Sequence, residues 1–140
     1  MIKIWTDGSC DYRTKLGGYA FLIEDENGLV TKSYGHLSST TSPRAEITAV
    51  IKALDIIEQN LELILISDNE YVIKGISLWM YKWKESGWRI KNPDLWKVIY
   101  RLIEDKNLII HTRWIKGHSG DKFNEECDRL AELGRKQNVK

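Results

Sequence analysis

Three things are missing from this sequence, and each absence narrows what it can be. No apolar run approaches the roughly 20 residues a membrane helix needs, and the N-terminus lacks a signal-peptide pattern. The expectation is an intracellular, cytoplasmic protein without membrane contact. Cysteine is scarce: Cys10 and Cys127 make neither a disulfide framework nor a zinc pattern, so both are expected free and structural. Charge of one sign does not dominate, since the formal net charge is +1, and global charge therefore argues little for a nucleic-acid partner. Linkers, internal repeats and low-complexity tracts are also absent, and 140 residues suit one domain spanning 1–140.

What is present has a clear order. In "IKIWTDGSC", alternation puts Ile2, Ile4 and Thr6 on one strand face and Lys3, Trp5 and Asp7 on the other. A turn is expected at Gly8, exposing Asp7 at the strand's end. "GGYAFLIEDENG" and "LVTKSYGHL" continue an antiparallel meander through a Glu-Asn-Gly turn. Ser42 then reads as a capping hydroxyl before Pro43, opening a helix that runs to about Asn60. "LELILIS" reads as a buried parallel strand. Helical segments follow over roughly 70 to 86 and 93 to 106, then the strand "LIIHTRWI", and a last helix from about Asn124 to Lys136. The order β-β-β-α-β-α-α-β-α implies an α/β fold, a five-stranded mixed sheet flanked by helices. Ligands of such sheets collect beyond the carboxyl ends of the parallel strands.

Several carboxylates stand where structure alone does not require them. Asp68 ends the buried fourth strand, where it could serve a site or cap the next helix. Glu46 projects with Val50, Ala53 and Ile57 into an apolar stripe; it needs a cation, a proton or a hydrogen-bonding network unless it snorkels to solvent. Asp128 flanks the stripe of Cys127, Leu130 and Ala131, where a solvated acid is an ordinary occurrence. If the first and fourth strands are neighbours, Asp7, Glu46 and Asp68 converge, and acids that close must protonate or bind a divalent cation. Oxygen-only ligation suggests Mg²⁺ or Mn²⁺, and two such ions about 3.5–4 Å apart are a known device for phosphodiester cleavage. His118, in the glycine-bracketed loop "KGHSG", could shuttle protons or be an ordinary loop histidine. From Val72 to Lys91 the chain has a net charge of +4 and three of its six tryptophans. That pattern fits either a surface tracking a phosphate backbone or a solvated helix with a tryptophan core face.

Together "TDGSC", "RAE" at the head of a helix, "LISDNEYV" and "WIKGHSG…NEECDRLA" resemble the type 1 ribonuclease H family, in order, from about Lys3 to Gly134. The resemblance implies the ribonuclease H-like five-stranded mixed sheet and cleavage of the RNA strand of an RNA–DNA hybrid, leaving 3′-hydroxyl and 5′-phosphate ends. It implies that Asp7, Glu46, Asp68 and Asp128 hold two Mg²⁺ ions when substrate is bound, with Mn²⁺ a possible substitute, and that Asp7 bridges both. By the same resemblance His118 assists proton transfer or product departure, and Asn124 and Glu125 support the second metal. Gly8, Ser9 and Cys10 would lie along the RNA strand. Thr41, Arg44, Trp79, Lys82 and Lys84 would contact the hybrid, while Trp83 and Trp88 pack internally. The implied partner is the hybrid duplex, with no obligate protein partner, and the chain is expected to act as a monomer.

Three segments depart from the family's habits: Asp11 to Leu16, "DYRTKL", lacks the usual asparagine; Asn69-Glu70 replaces Ser-Gln; and Glu85-Ser86 stands where basic residues are common. They point to weaker or more salt-sensitive substrate binding. A silent binding module of the same fold, or a metal nuclease acting on DNA junctions or ends, are the alternatives. The full set of acids favours the hybrid nuclease over the first, because a silent module has no need of mutually repelling acids. The basic segment and the "KGHSG" loop favour it over the second.

Overall fold

Neighbouring residues of the first strand bury on opposite faces, so the sheet must be covered on both sides. The computed structural model describes residues 1–137. Strands β1 (Ile2–Asp11), β2 (Leu16–Glu24) and β3 (Val30–Leu37) form the antiparallel meander. After helix α1 (Ser42–Ile56), strand β4 (Glu62–Ser67) pairs parallel with β1. Helix α2 (Glu70–Lys74), a π turn (Gly75–Trp79), helix α3 (Met80–Glu85) and helix α4 (Pro93–Asp105) lead to β5 (Ile109–Trp114), parallel to β4. Helix α5 (Lys122–Lys136) follows. The sheet order is β3-β2-β1-β4-β5, so β1 and β4 are neighbours, as the convergence of the acids requires.

On one face Ile4, Phe21 and Leu65 pack against Ile47, Val50 and Leu54 of α1 and Trp96 and Ile99 of α4. On the other, Trp5, Leu22 and Ile66 meet Cys127, Leu130 and Ala131 of α5. The backbone of α5 reaches the sheet closely because Gly18 and Gly134 present no side chain between them. His36 Nδ1 lies 2.8 Å from the Gly134 carbonyl at the same contact. Both cysteines are free thiols, Cys127 in the core and Cys10 half-buried. No helix among the described residues is long and apolar enough to cross a membrane.

Four boundaries differ from the sequence reading. Strand β1 does not turn at Gly8 but stays paired with β2 as far as Asp11. The cap of α1 is Thr41 rather than Ser42: its backbone is extended and its Oγ1 accepts the Arg44 N–H at 3.3 Å. Helix α5 starts two residues earlier than expected, because Asp121 caps it through the Asn124 N–H at 2.8 Å. Helix α1 also stops at Ile56, short of Asn60, because Ile57 is extended and Lys106 takes the terminal carbonyls. The Lys106 ammonium donates to the carbonyls of Leu54, Asp55 and Ile57 at 2.9, 2.7 and 2.8 Å. A cation there satisfies carbonyls with no partner inside the helix and complements the helix dipole. Lys106→Met keeps the stem but loses these bonds, and is expected to lower unfolding stability by about 1–3 kcal/mol. Denaturant melts at constant pH measure this.

Candidate active site

The site forms where the two parallel pairings of β4 stop at different places. The β1–β4 ladder ends at Trp5 with Ile66, while the β4–β5 ladder continues to Ser67 with Trp114. Beyond Ile66 the two strands separate, and a space opens at the carboxyl end of β4. Asp7, on β1 just past the divergence, faces this space and is buried. Asp68 follows β4 directly. It is not used as a helix cap, because Asn69 takes that role and its Oδ1 accepts the Val72 N–H at 3.0 Å. Asp68 is thereby left available to the space.

Glu46 enters from α1. It is only 6 % exposed, so it does not snorkel. The reason it reaches Asp7 is Gly8: a Cβ there would strike the Glu46 N–H and the Ala45 carbonyl, so only glycine lets the first turn of α1 sit on β1. The glycine serves a close approach rather than a turn. Carboxylate oxygens of Asp7, Glu46 and Asp68 lie within 4.8 Å of one another.

The electrostatics follow from that crowding. Burial, first of all, pushes the Asp7 carboxyl up to about 7; the nearby Asp68 and Asp128 charges add to the rise, and hydrogen bonds from Glu46 and the Gly8 N–H oppose it. Glu46 is pushed well above the usual carboxyl range by burial, then by the Asp7 charge and the hydrogen bond it makes to Asp7. The pair thus retains a proton that two separate carboxyls would have lost. Glu46 Oε2 is buried and has no hydrogen-bond partner among the described residues. Repelling acids plus a partnerless buried carboxylate oxygen, all hard oxygen donors, fit a divalent cation of the Mg²⁺ class.

The other residues named from sequence fall as follows. Asp128 on α5 lies outside the tight trio, yet close enough to raise Asp7. His118 is exposed in the loop between β5 and α5, with a left-handed φ of 55°. Its neighbour Gly117 lies against Asp68: a Cβ on it would stand 3.0 Å from Asp68 Oδ2. Asn124 is buried in the first turn of α5. Glu125 is exposed and lines a groove of about 550 Å³ with Leu22, Lys32 and Phe123. Ser9 Oγ accepts the Arg135 Nε–H at 2.9 Å, and Cys10 Sγ donates to the Thr40 carbonyl at 3.7 Å. The Thr41 hydroxyl caps α1 and keeps its own proton to donate. Arg44 is held by Asp94, with nitrogen–oxygen distances of 2.7 and 3.0 Å, and by Asn92 at 3.2 Å. A phosphate reaching Arg44 must compete with Asp94 for the guanidinium. Glu70 has Lys74 for a partner at 3.4 Å, which moderates its charge.

Trp79 is half-buried beside Trp83, with ring centroids 5.8 Å apart. Lys82 and Lys84 are exposed, the latter over the Tyr100 ring at 4.8 Å. Trp83 packs edge-on against Trp96 at 5.0 Å, and Trp88 against Tyr100 at 5.8 Å, so those two serve the core. Asp94, which occupies Arg44, and Trp114, whose indole N–H donates to the Asp68 carbonyl at 2.9 Å, are absent from the sequence reading. The only signal for Trp114 is an aromatic ending a strand just before the "KGHSG" loop.

The RNase H family model matches residues 1–136. Ribonuclease H of Actinobacillus succinogenes is 40% identical over 139 residues, covering 95% of this chain and 88% of that protein. Ribonuclease H of Hahella chejuensis is 40% identical over 143 residues, covering 97% and 94%. Among solved structures, the crystal structure of LC9-RNase H1, described as a type 1 RNase H with the type 2 active-site motif, superposes with a TM-score of 0.85. It is 23% identical and covers 96% of this chain and 71% of that one, a likeness of fold.

Proposed function

The chain belongs to the ribonuclease H family of hydrolases, and from that premise we propose that it cuts the RNA strand of RNA–DNA hybrids internally, leaving 3′-hydroxyl and 5′-phosphate ends. The observation that carries this reading is the trio Asp7, Glu46 and Asp68, whose oxygens converge within 4.8 Å while buried Glu46 Oε2 has no hydrogen-bond partner among the described residues. Asp7, Glu46 and Asp68 would hold one divalent cation, Mg²⁺ by the hardness of the donors, with Mn²⁺ acceptable, and Asp7 with Asp128 would hold a second. Bound there with substrate, two such ions would supply positive charge for activating the attacking water and stabilising the leaving 3′-oxygen.

The chain's own residues do the rest. Gly8 holds Glu46 against Asp7, so the donors are prearranged before substrate arrives. His118, exposed on a loop that touches Asp68 through Gly117, is placed to move a proton at the departing oxygen or to help product leave. Asn124 and Glu125 support the Asp128 side from the first turn of α5. Trp79, Lys82 and Lys84 line the exposed basic segment that tracks the DNA strand, and Gly8, Ser9, Cys10, Thr41 and Arg44 follow the groove on either side of the acids. Discrimination of RNA rests on 2′-hydroxyl contacts in the wide minor groove. Residues 1–140 act as one domain and as a monomer.

The test is incubation of a labelled RNA–DNA hybrid with Mg²⁺, beside Asp68→Asn. RNA fragments from the wild type, and few or none from the variant, are expected. Intact hybrid with both Mg²⁺ and Mn²⁺ overturns the reading, and cleavage of duplex DNA would transfer it to the junction-nuclease class.

A further inference from the structure

Asp68 follows the end of β4, where the main chain has one neighbouring strand left. β1 pairs with β4 only as far as Ile66. Past Ile66 the bonds across to the neighbouring strand come from the end of β5 and the residue after it: the Ile115 N–H donates to the Ser67 carbonyl at 3.0 Å, and the Trp114 indole N–H donates to the Asp68 carbonyl at 2.9 Å. That carbonyl lies just ahead of the capped start of α2. The bond anchors the peptide group directly after the Asp68 Cα, and with it the backbone from which the Asp68 side chain leaves. The loop that follows this strand then passes Asp68 at Gly117, which stands against Asp68 Oδ2.

A tryptophan is a costly way to end an edge strand. Trp114 is 47 % exposed and belongs to neither buried core cluster, so packing explains little of it. Its indole bond to the Asp68 carbonyl is the specific contact it makes.

We infer that Trp114 is a positioning residue for Asp68: its indole bond to the Asp68 carbonyl, with Gly117 against the carboxylate, sets the direction in which Asp68 presents its oxygens to a divalent cation. This rests on the reading of Asp68 as a cation ligand. One strand end therefore orients the ligand and launches the His118 loop, so the two arrive in a fixed relation. Trp114 touches neither cation nor substrate, and acts through Asp68.

Trp114→Phe keeps an aromatic ring, smaller than the indole, and removes the N–H. Titration with Mg²⁺ alone, followed through the amide NMR shifts of Ser67 to Asn69 in ¹⁵N-labelled protein, is expected to give a dissociation constant raised about three- to tenfold, the range for losing one hydrogen bond. The thermal midpoint should move little, because the ring is half exposed. In hybrid cleavage, the Mg²⁺ concentration for half-maximal rate should rise by the same factor while the rate at saturating Mg²⁺ largely recovers. Gly117→Ala, which crowds the carboxylate from the other side without altering the indole, should weaken Mg²⁺ binding as well. Wild-type Mg²⁺ affinity in both variants overturns the positioning role while leaving the site intact. Wild-type affinity in Asp68→Asn overturns the ligand reading itself, and the positioning role with it.

Discussion

Asp7→Asn should abolish cleavage and stabilise the metal-free protein in one step. The change removes the negative charge that β1 contributes to the trio, at a position that feels both Glu46 and Asp128. An amide can still accept a hydrogen bond but cannot neutralise a divalent cation. Removing a single preorganised electrostatic group from an active site costs roughly 10²–10³ in rate, and a shared metal ligand should exceed that range. Single-turnover cleavage of a labelled hybrid at saturating Mg²⁺ measures it. The opposite sign in stability separates this outcome from unfolding. Burial pushes the Asp7 carboxyl up from its ordinary 3.8 to about 7, so at pH 8 it is ionised at a cost that the neutral amide avoids. The thermal midpoint of the variant without metal should therefore rise above that of the wild type at pH 8. A fall in both activity and midpoint would mean that Asp7 serves the fold.

How far the sequence reveals this site depends on the range of the contact involved. Glu46 is legible because helical periodicity alone places it in an apolar stripe, and burial then demands a partner. Asp68 is legible because a continuous apolar run followed by an acid marks the end of a parallel strand. Gly8 is misread as a turn for a physical reason. Its lack of a side chain serves contact with Glu46, 38 positions away, and no local pattern distinguishes that from a turn. The end of α1 is misplaced on the same ground. Apolar spacing continues to Ile57, but the carbonyls are taken by Lys106 from the far end of α4. The break between α2 and α3 is invisible to periodicity too. A π turn there starts at Gly75, where the Trp96 ring occupies the space of a side chain, so helical phase shifts without any break in composition. Arg44 has the residue type of a phosphate contact, yet its guanidinium is engaged by Asp94, a pairing across 50 positions. Trp114 is the clearest case, since its role depends on strand register and on where one ladder outlasts another.

Removing divalent cations should make this protein less stable as pH rises from about 5 to 8, and adding Mg²⁺ should reverse most of that loss at pH 8. Asp7 and Glu46 have folded-state values raised above their ordinary 3.8 and 4.5. The folded chain therefore binds more protons than the unfolded one in the interval between. The contribution of Asp7 is full below about pH 4 and is lost as pH climbs through about 7. For Asp7 alone the displacement corresponds to at most about 4 kcal/mol at about 1.4 kcal/mol per pKa unit. Glu126 runs in the opposite sense: bonds to Arg129 and Lys32 hold it down at about 2, so its contribution is present above its ordinary 4.5 and is lost as pH falls toward 2. The two windows barely overlap, and the decline between pH 5 and 8 belongs to Asp7 and Glu46. A divalent cation binds only where the trio is ionised, so its stabilisation grows with pH and with concentration over the dissociation constant. Thermal melts with EDTA and with Mg²⁺ at pH 5, 6.5 and 8 check this directly. The two series should converge at pH 5 and separate at pH 8, and Asp7→Asn should flatten the EDTA series. Parallel series would mean that the cation does not bind where the protons leave, and that the crowded carboxyls are relieved by some other group.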